Sequence, residues 1–273
     1  MNNSMTIITP QRRPGIGLIA AWQRRELLLM FVRRHIFSRY RQMFLGILWS
    51  VAEPLGSLLI LTFVFGFVIK VDTGGLPYPL FAFSGLVGWW VFSKTTTAVT
   101  SSLLDNIGVI SKVYFPRIIL PLAVVGRELF DALILVGILL AISLVYGFVP
   151  HWQVLVLPVI LLGAALLGLG CGLILAPLTV KFRDVRHILS LVLQAGMYAT
   201  PIVYSATLVP AAIEPLYQMN PMYWIVEATR WALLNTPFAL TLNFWISIGQ
   251  SVAIVGAGLA VFGRLERISV DVQ

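Results

Sequence analysis

The sequence predicts an all-α polytopic membrane protein, and three observations carry that prediction. Apolar residues fill 59% of the 273 positions and charged residues only 11%; soluble globular chains carry about 25% charge and about 45–50% apolar residues. Mean hydropathy is +0.91. Six apolar stretches approach the roughly 20 residues that a membrane-crossing helix needs. This composition excludes a secreted domain, a cytosolic enzyme and a nucleic-acid binder, even though the net charge is +8.

The chain opens with a basic leader, residues 1–43, that carries eight of the arginines. Within it, residues 18–42 mix Arg24, Arg25, Arg33, Arg34, Arg39 and Arg41 with Trp22, Leu28, Phe31, Ile36 and Phe37. A helix along the cytoplasmic membrane surface is expected there, its arginines reaching to anionic headgroups. A single transmembrane domain, 44–263, follows, and 264–273 form a tail. The six spans are read near 44–69, 80–101, 119–149, 152–179, 188–204 and 241–262. The second is the weakest, diluted by Lys94 and Thr95-Thr96-Thr97. Residues 205–240 are apolar but broken by Pro210, Pro215, Pro221 and Pro237. Two short helices that dip into the outer leaflet fit that pattern, because irregular backbone at membrane depth needs protein or water around it; a surface-lying outer loop is the alternative.

Orientation follows from charge. Of the 19 basic residues, all but Lys70 and Arg230 fall in the leader, the 94–127 connection, the 181–186 connection or the tail. Positive loops face the cytoplasm, so both termini are expected there. The first apolar stretch follows a long arginine-rich segment without a small-residue cleavage site, so no signal peptide is expected. The lone Cys171 cannot form an internal disulfide.

Catalytic patterns are missing. Glycine precedes none of the four lysines, which rules out a phosphate-cradling GxxxxGK[ST] loop. The sequence also lacks HExxH, CxxC and DxD, and His35, His151 and His187 lie in three different segments. No metal site and no cofactor in this chain are expected.

Ionisable residues inside spans are costly and therefore functional candidates. Glu53 lies within the first span, directly before Pro54, a residue that removes a backbone hydrogen bond. Glu53 either faces a polar cavity or packs as a protonated, hydrogen-bonded residue. Arg127 and Asp131, at i,i+4, can form a structural ion pair, and Glu227 and Arg230, at i,i+3, a structural clamp. Trp89, Trp90, Trp152 and Trp245 read as interface anchors. Aromatic faces also stack on sugar rings, so a few of the aromatics, Trp89, Trp90, Tyr198 and Tyr204 among them, are candidates to line a sugar path. Small residues recur at i,i+4 in Ala164, Gly168 and Gly172 and in Gly249, Ala253 and Ala257. They permit close helix approach within one subunit or between two.

Five stretches then resemble one family in order along the chain. Arg39-Tyr40-Arg41-Gln42, Leu45-Gly46-Ile47-Leu48-Trp49 and Glu53-Pro54-Leu55 resemble the "RYRQ…LG.LW…P" opening of permease subunits of ABC-2-type polysaccharide exporters. Asn106 to Pro121 resembles their cytoplasmic connection between spans two and three. Phe182 to His187 resembles "FRD.RH", Tyr198 to Tyr204 resembles "PV.Y", and Asn220-Pro221 to Arg230-Trp231 resembles "NP…E..RW". The resemblance covers about residues 20 to 263.

The resemblance implies a homodimeric channel in the bacterial cytoplasmic membrane, with two copies of a separate ABC ATPase that holds ATP and Mg. The implied cargo is a lipid-linked polysaccharide of O-antigen (lipopolysaccharide), teichoic-acid or capsular type. Trp49, Glu53, Tyr198 and Tyr204 are implied to border the channel. Residues 205–230, with Tyr217, Asn220, Pro221, Tyr223, Glu227 and Arg230, are implied to form a re-entrant outer gate. Arg39, Arg41, Asp105, Asn106, Lys112, Tyr114 and Arg117 are implied at the cytoplasmic gate and ATPase contact, and Arg183, Asp184 and Arg186 in a cytoplasmic loop. Many O-antigen-type relatives carry Gln before the first-span proline, where this chain has Glu53, as some capsule-type relatives do; the "FRD.RH" and "NP" segments look more like the O-antigen and teichoic-acid branch. An ABC permease for a drug or antibiotic shares the architecture. A membrane-embedded glycosyl- or acyltransferase would need converging acids or histidines, which the sequence does not display.

Overall fold

The computed structural model describes residues 17–41, 48–113 and 115–268, and these are helical with no strand among them. The leader forms two helices, α1 (Leu18–Gln23) and α2 (Arg25–Arg41), broken at Arg24. One continuous helix was expected there. The second is held to the protein as well as flanking it: buried Phe31 stacks on Phe115 with ring centroids 5.7 Å apart. A Cβ on Gly126 would lie 2.9 Å from Val32, so glycine there lets α2 lie close.

The next helix, α3 (Trp49–Leu61), contains Pro54 and continues into a π-helical stretch, Thr62–Val68. After a turn comes α4 (Tyr78–Asp105), then one turn of α5 (Ile107–Ile110), then α6 (Ile119–Val145). A 3₁₀ turn, Trp152–Val156, leads into α7 (Leu157–Lys181), and α8 (Val185–Ala199) follows a tight connection. The outer segment contains α9 (Glu214–Gln218) and α10 (Pro221–Leu234), and α11 (Leu242–Ile268) closes the described chain.

Among the described residues, four helical stretches are long and apolar enough to cross a membrane: Trp49–Val68, Ile119–Val145, Trp152–Lys181 and Leu242–Arg264. They coincide with four of the six expected spans. The helices nearest the other two fall short for different reasons. With 28 residues, α4 is about 42 Å long, ample for a bilayer core of about 30 Å. It is more polar because α6, α7, α10 and α8 surround it. Ser84, Thr95, Thr96, Thr100 and Ser102 are buried along it, and within the helix only Thr97 and Asp105 are exposed. A helix clothed in protein does not need a lipid-compatible surface. By contrast α8 has 15 residues, about 22 Å.

Glycines set the closest approaches. A Cβ on Gly168 would meet the Phe92 carbonyl oxygen at 2.7 Å, and one on Gly172 would meet Val99 at 2.6 Å, so α7 lies directly against α4. The small stripe read in the fourth span therefore packs within the subunit. In α11 the contact residue is instead Gly258, whose Cβ would lie 2.5 Å from the Gly170 carbonyl oxygen. The expected stripe Gly249, Ala253 and Ala257 is exposed on this chain.

The candidate translocation site

Two groups of residues form around the break between α8 and the outer segment. The first is a cavity of about 820 Å³ on the side of α4 that faces α8, bounded also by α2, α3 and α6. Five of the sequence candidates line it: Glu53, Trp89, Trp90, Asp105 and Asn106. Glu53 is exposed and pairs with Lys94 at 3.4 Å. Of its two sequence readings, the polar-cavity one matches this placement. Asp105 accepts from Arg186 at 3.2 Å, which ties the 181–186 connection to the end of α4. No spacing rule could have found that pair, because its members lie 81 residues apart. Asn106 is buried and donates to the Ser102 carbonyl.

Other lining residues were not read from sequence as channel residues: Arg34, His35, Ser93, Lys94, Thr97, Ser101, Arg127, Glu128 and Gln194. The available signal was the spacing Trp89, Ser93, Thr97, Ser101, Asp105, one residue per turn along one face. Arg127 meets its neighbour Glu128. Glu128 and Asp131 are both buried.

His35 lies on α2 at the edge of this cavity, half-buried, its ring 6.5 Å from Phe31. Burial lowers its pKa from 6.5, Arg127 and Arg34 lower it further, and Asp105 opposes them. The neutral form is favoured in the folded protein. Below pH 6.5 the unfolded chain takes up a proton that the folded chain resists, so stability falls as pH falls through that range. His35→Gln removes this loss. Between pH 7.5 and 5.5, the wild-type melting temperature should therefore drop further than that of the variant.

The second group lies on the far side of the break. Residues 200–203 are non-helical and fully enclosed. Tyr78 donates to the Val203 carbonyl at 3.0 Å, and Arg230 to the Ile202 carbonyl at 2.8 Å. Arg230 is 2% exposed, pairs with Glu227 at 2.7 Å and sits 3.8 Å over the Phe81 ring. The clamp read from sequence thus exists, with α4 as a third member. Asn220 caps α10 by accepting from the Met222 N–H, and its amide donates to Thr200. Pro221 occupies the first helical position, where a missing N–H costs nothing. Tyr204 donates to the Tyr198 carbonyl and accepts from the Tyr217 hydroxyl, and Tyr223 stacks edge-on against Trp224. Tyr198 and Tyr204 therefore stand with this group rather than in the cavity lining.

The remaining candidates are scattered. Trp49 is half exposed on α3, outside the cavity lining. Lys112, Arg183 and Asp184 are exposed in connections, and Arg117 is half-buried just before α6. The side chains of Arg39 and Arg41, and Tyr114, lie outside the described residues.

The described residues thus form a helix bundle with a polar cavity that Trp89 and Trp90 help to line, and with a pinned break after α8. The sequence pattern of the family described as ABC-2 type transporter matches residues 26–234. The chain belongs to the ABC-2 type transporter family. Among its relatives, an O-antigen export system permease protein RfbA of Klebsiella pneumoniae is 30% identical over 245 residues, covering 88% of this chain and 92% of the relative. An RfbA of Myxococcus xanthus is 32% identical over 203 residues, 74% of this chain and 77% of the relative. The polysialic acid transport protein KpsM of Escherichia coli is 26% identical over 208 residues, 74% and 78%. The ABC-2 match ends at Leu234, the last residue of α10, and spans the cavity and the Arg230 cluster.

Proposed function

We propose that this chain is the membrane permease of an ATP-driven exporter that moves a lipid-linked polysaccharide across the bacterial cytoplasmic membrane. The observation that carries the reading is similarity to an O-antigen export permease over 88% of this chain. The cavity, whose lining joins Trp89 and Trp90 to hydroxyls and ion pairs, adds support. In this reading α4 and α8 are the second and fifth of six spans. Residues 200–204 complete the fifth within protein, and α9 with α10 forms a re-entrant outer gate. Both termini are cytoplasmic. Two copies build the channel, and two copies of a separate ABC ATPase bind ATP and Mg and dock beneath it. Asp105, Asn106, Lys112 and Arg117, together with the 183–186 loop, are assigned to the ATPase contact and cytoplasmic gate.

Deleting the gene in the source organism and locating its glycan tests this. The expected result is loss of surface glycan with lipid-linked glycan retained inside, restored by the intact gene. Normal surface glycan would move a small-molecule cargo to the front. Loss both outside and inside would point to synthesis instead.

A further inference from the structure

The cavity carries information about the chemistry of the chain it accepts. Along α4 the open stripe is Ser93, Thr97 and Ser101, between Trp89 and Asp105. At four residues and 1.5 Å per residue, the hydroxyls recur about every 6 Å. That spacing is close to the advance per sugar unit in an extended glycan. Ser190 and Gln194 face them from α8, also four residues apart.

The hydrogen bonding of these groups suits a polyol. Thr97 donates to the Ser93 carbonyl at 2.9 Å, and Ser190 to the His187 carbonyl at 2.7 Å. Each hydroxyl proton is thereby used on its own helix, and the lone pairs are left as acceptors. Ser101 and Gln194 form no side-chain hydrogen bond among the described residues. Gln194 supplies both donors and an acceptor.

Charge is present but cancelled. Glu53 pairs with Lys94, Asp105 with Arg186, and Glu128 with Arg127. Lys94 is the one cation beside the hydroxyl rungs on α4, and a carboxylate already holds it. A chain with a negative charge in every repeat would pass Thr97 and Ser190, whose hydroxyl protons are already used, and would meet Glu53 and Asp105. Arg34 also lines the cavity, on α2 rather than α4, 6.0 Å from the Phe31 ring centroid. A neutral chain of hydroxyl groups finds a partner at each rung and a deep well at none, which lets it slide.

We infer that the α4 hydroxyl ladder, Ser93, Thr97 and Ser101, is the track for an uncharged glycan and selects it over polyanionic chains. The inference rests on the polysaccharide-export reading and goes further by fixing the charge class of the cargo.

The test uses the full chain in its own cells, with the deletion strain complemented by wild type, by Thr97→Val with Ser101→Ala, or by Thr95→Val. Thr95 is buried on another face of α4, and its hydroxyl has no partner. Membrane levels are matched by immunoblot, and Ser101→Ala alone serves if the double variant accumulates poorly. Lipid-linked glycan is pulse-labelled and its appearance at the surface is timed. The exported repeat unit is analysed for phosphate, carboxylate and sulfate. The ladder variant should export about tenfold more slowly, Thr95→Val should match wild type, and the repeat unit should be neutral. Wild-type speed in the ladder variant, or an anionic group in every repeat, overturns the inference. Surface glycan that is unaffected by the deletion itself would instead overturn the export reading.

Discussion

Arg230→Ala is expected to destabilise the fold by about 3–5 kcal/mol, the usual cost of removing one partner from a buried ion pair. The guanidinium is 2% exposed and does three jobs at once. It pairs with Glu227 on its own helix, donates to the Ile202 carbonyl, and covers the Phe81 ring of α4. Alanine leaves an enclosed carbonyl and a carboxylate without their donor and empties the space between three elements. Gly85 shows how closely the site is shaped, since a Cβ there would come within 3.2 Å of the Arg230 Nη2. Thermal unfolding of the detergent-solubilised protein should show the loss. Glu227→Ala alone should cost less, because Glu227 is partly exposed. The double variant should cost less than the sum of the two. A loss below about 1 kcal/mol for Arg230→Ala would mean that water or another donor replaces it.

The second large effect is expected at the crossing of α7 and α11. There the helices meet backbone to backbone, at Gly170 and Gly258. A Cβ on Gly258 would lie 2.5 Å from the Gly170 carbonyl oxygen and 3.1 Å from its Cα. Neither atom can rotate aside, so any side chain separates the helices. Gly258→Ala should cost about 1–3 kcal/mol, the range for overpacking. Gly258→Leu should prevent accumulation of folded protein. Gly256 has nothing within 4 Å of its Cβ position, and Gly256→Ala should stay close to wild type. Melting temperatures in detergent, with size-exclusion profiles, separate these outcomes. A Gly258→Leu protein that is folded and monodisperse would show that this crossing is not tightly packed.

These two sites differ in how far the sequence announced them. Glu227 and Arg230 are three residues apart, and helix geometry alone makes them neighbours. The Ile202 carbonyl and Phe81 are distant in sequence, and only the fold brings them in. Small residues were legible as packing candidates in both long helices. In the fourth span Gly168 and Gly172 do meet α4. In the last one, Gly258 lies one position past the stripe that i,i+4 counting picked out, because the crossing follows the partner helix and not the pattern of one helix alone.

The membrane spans divide in the same way. Hydropathy found Trp49–Val68, Ile119–Val145, Trp152–Lys181 and Leu242–Arg264 because those helices keep an apolar surface. It gave less weight to α4, whose neighbours are protein helices. Thr95 and Thr96 are buried there, while Ser93, Lys94 and Thr97 open to the cavity. The polar residues that weakened the reading of α4 as a span are the ones that give the cavity its chemistry. The leader was legible as helical, but nothing in its composition marked the break at Arg24 or the seat of Phe31 on Phe115.

Reconstitution tests the central claim most directly. The full chain and its partner ATPase are placed together in liposomes loaded with labelled lipid-linked glycan. An impermeant glycosidase or lectin then reads the leaflet to which the sugar is exposed. The expected result is ATP-dependent transfer that disappears when the ATPase is omitted or its phosphate-binding lysine is replaced. Equal transfer by this chain without ATPase or ATP, or ATP-driven movement of a small amphiphile while the glycan stays in place, would contradict it.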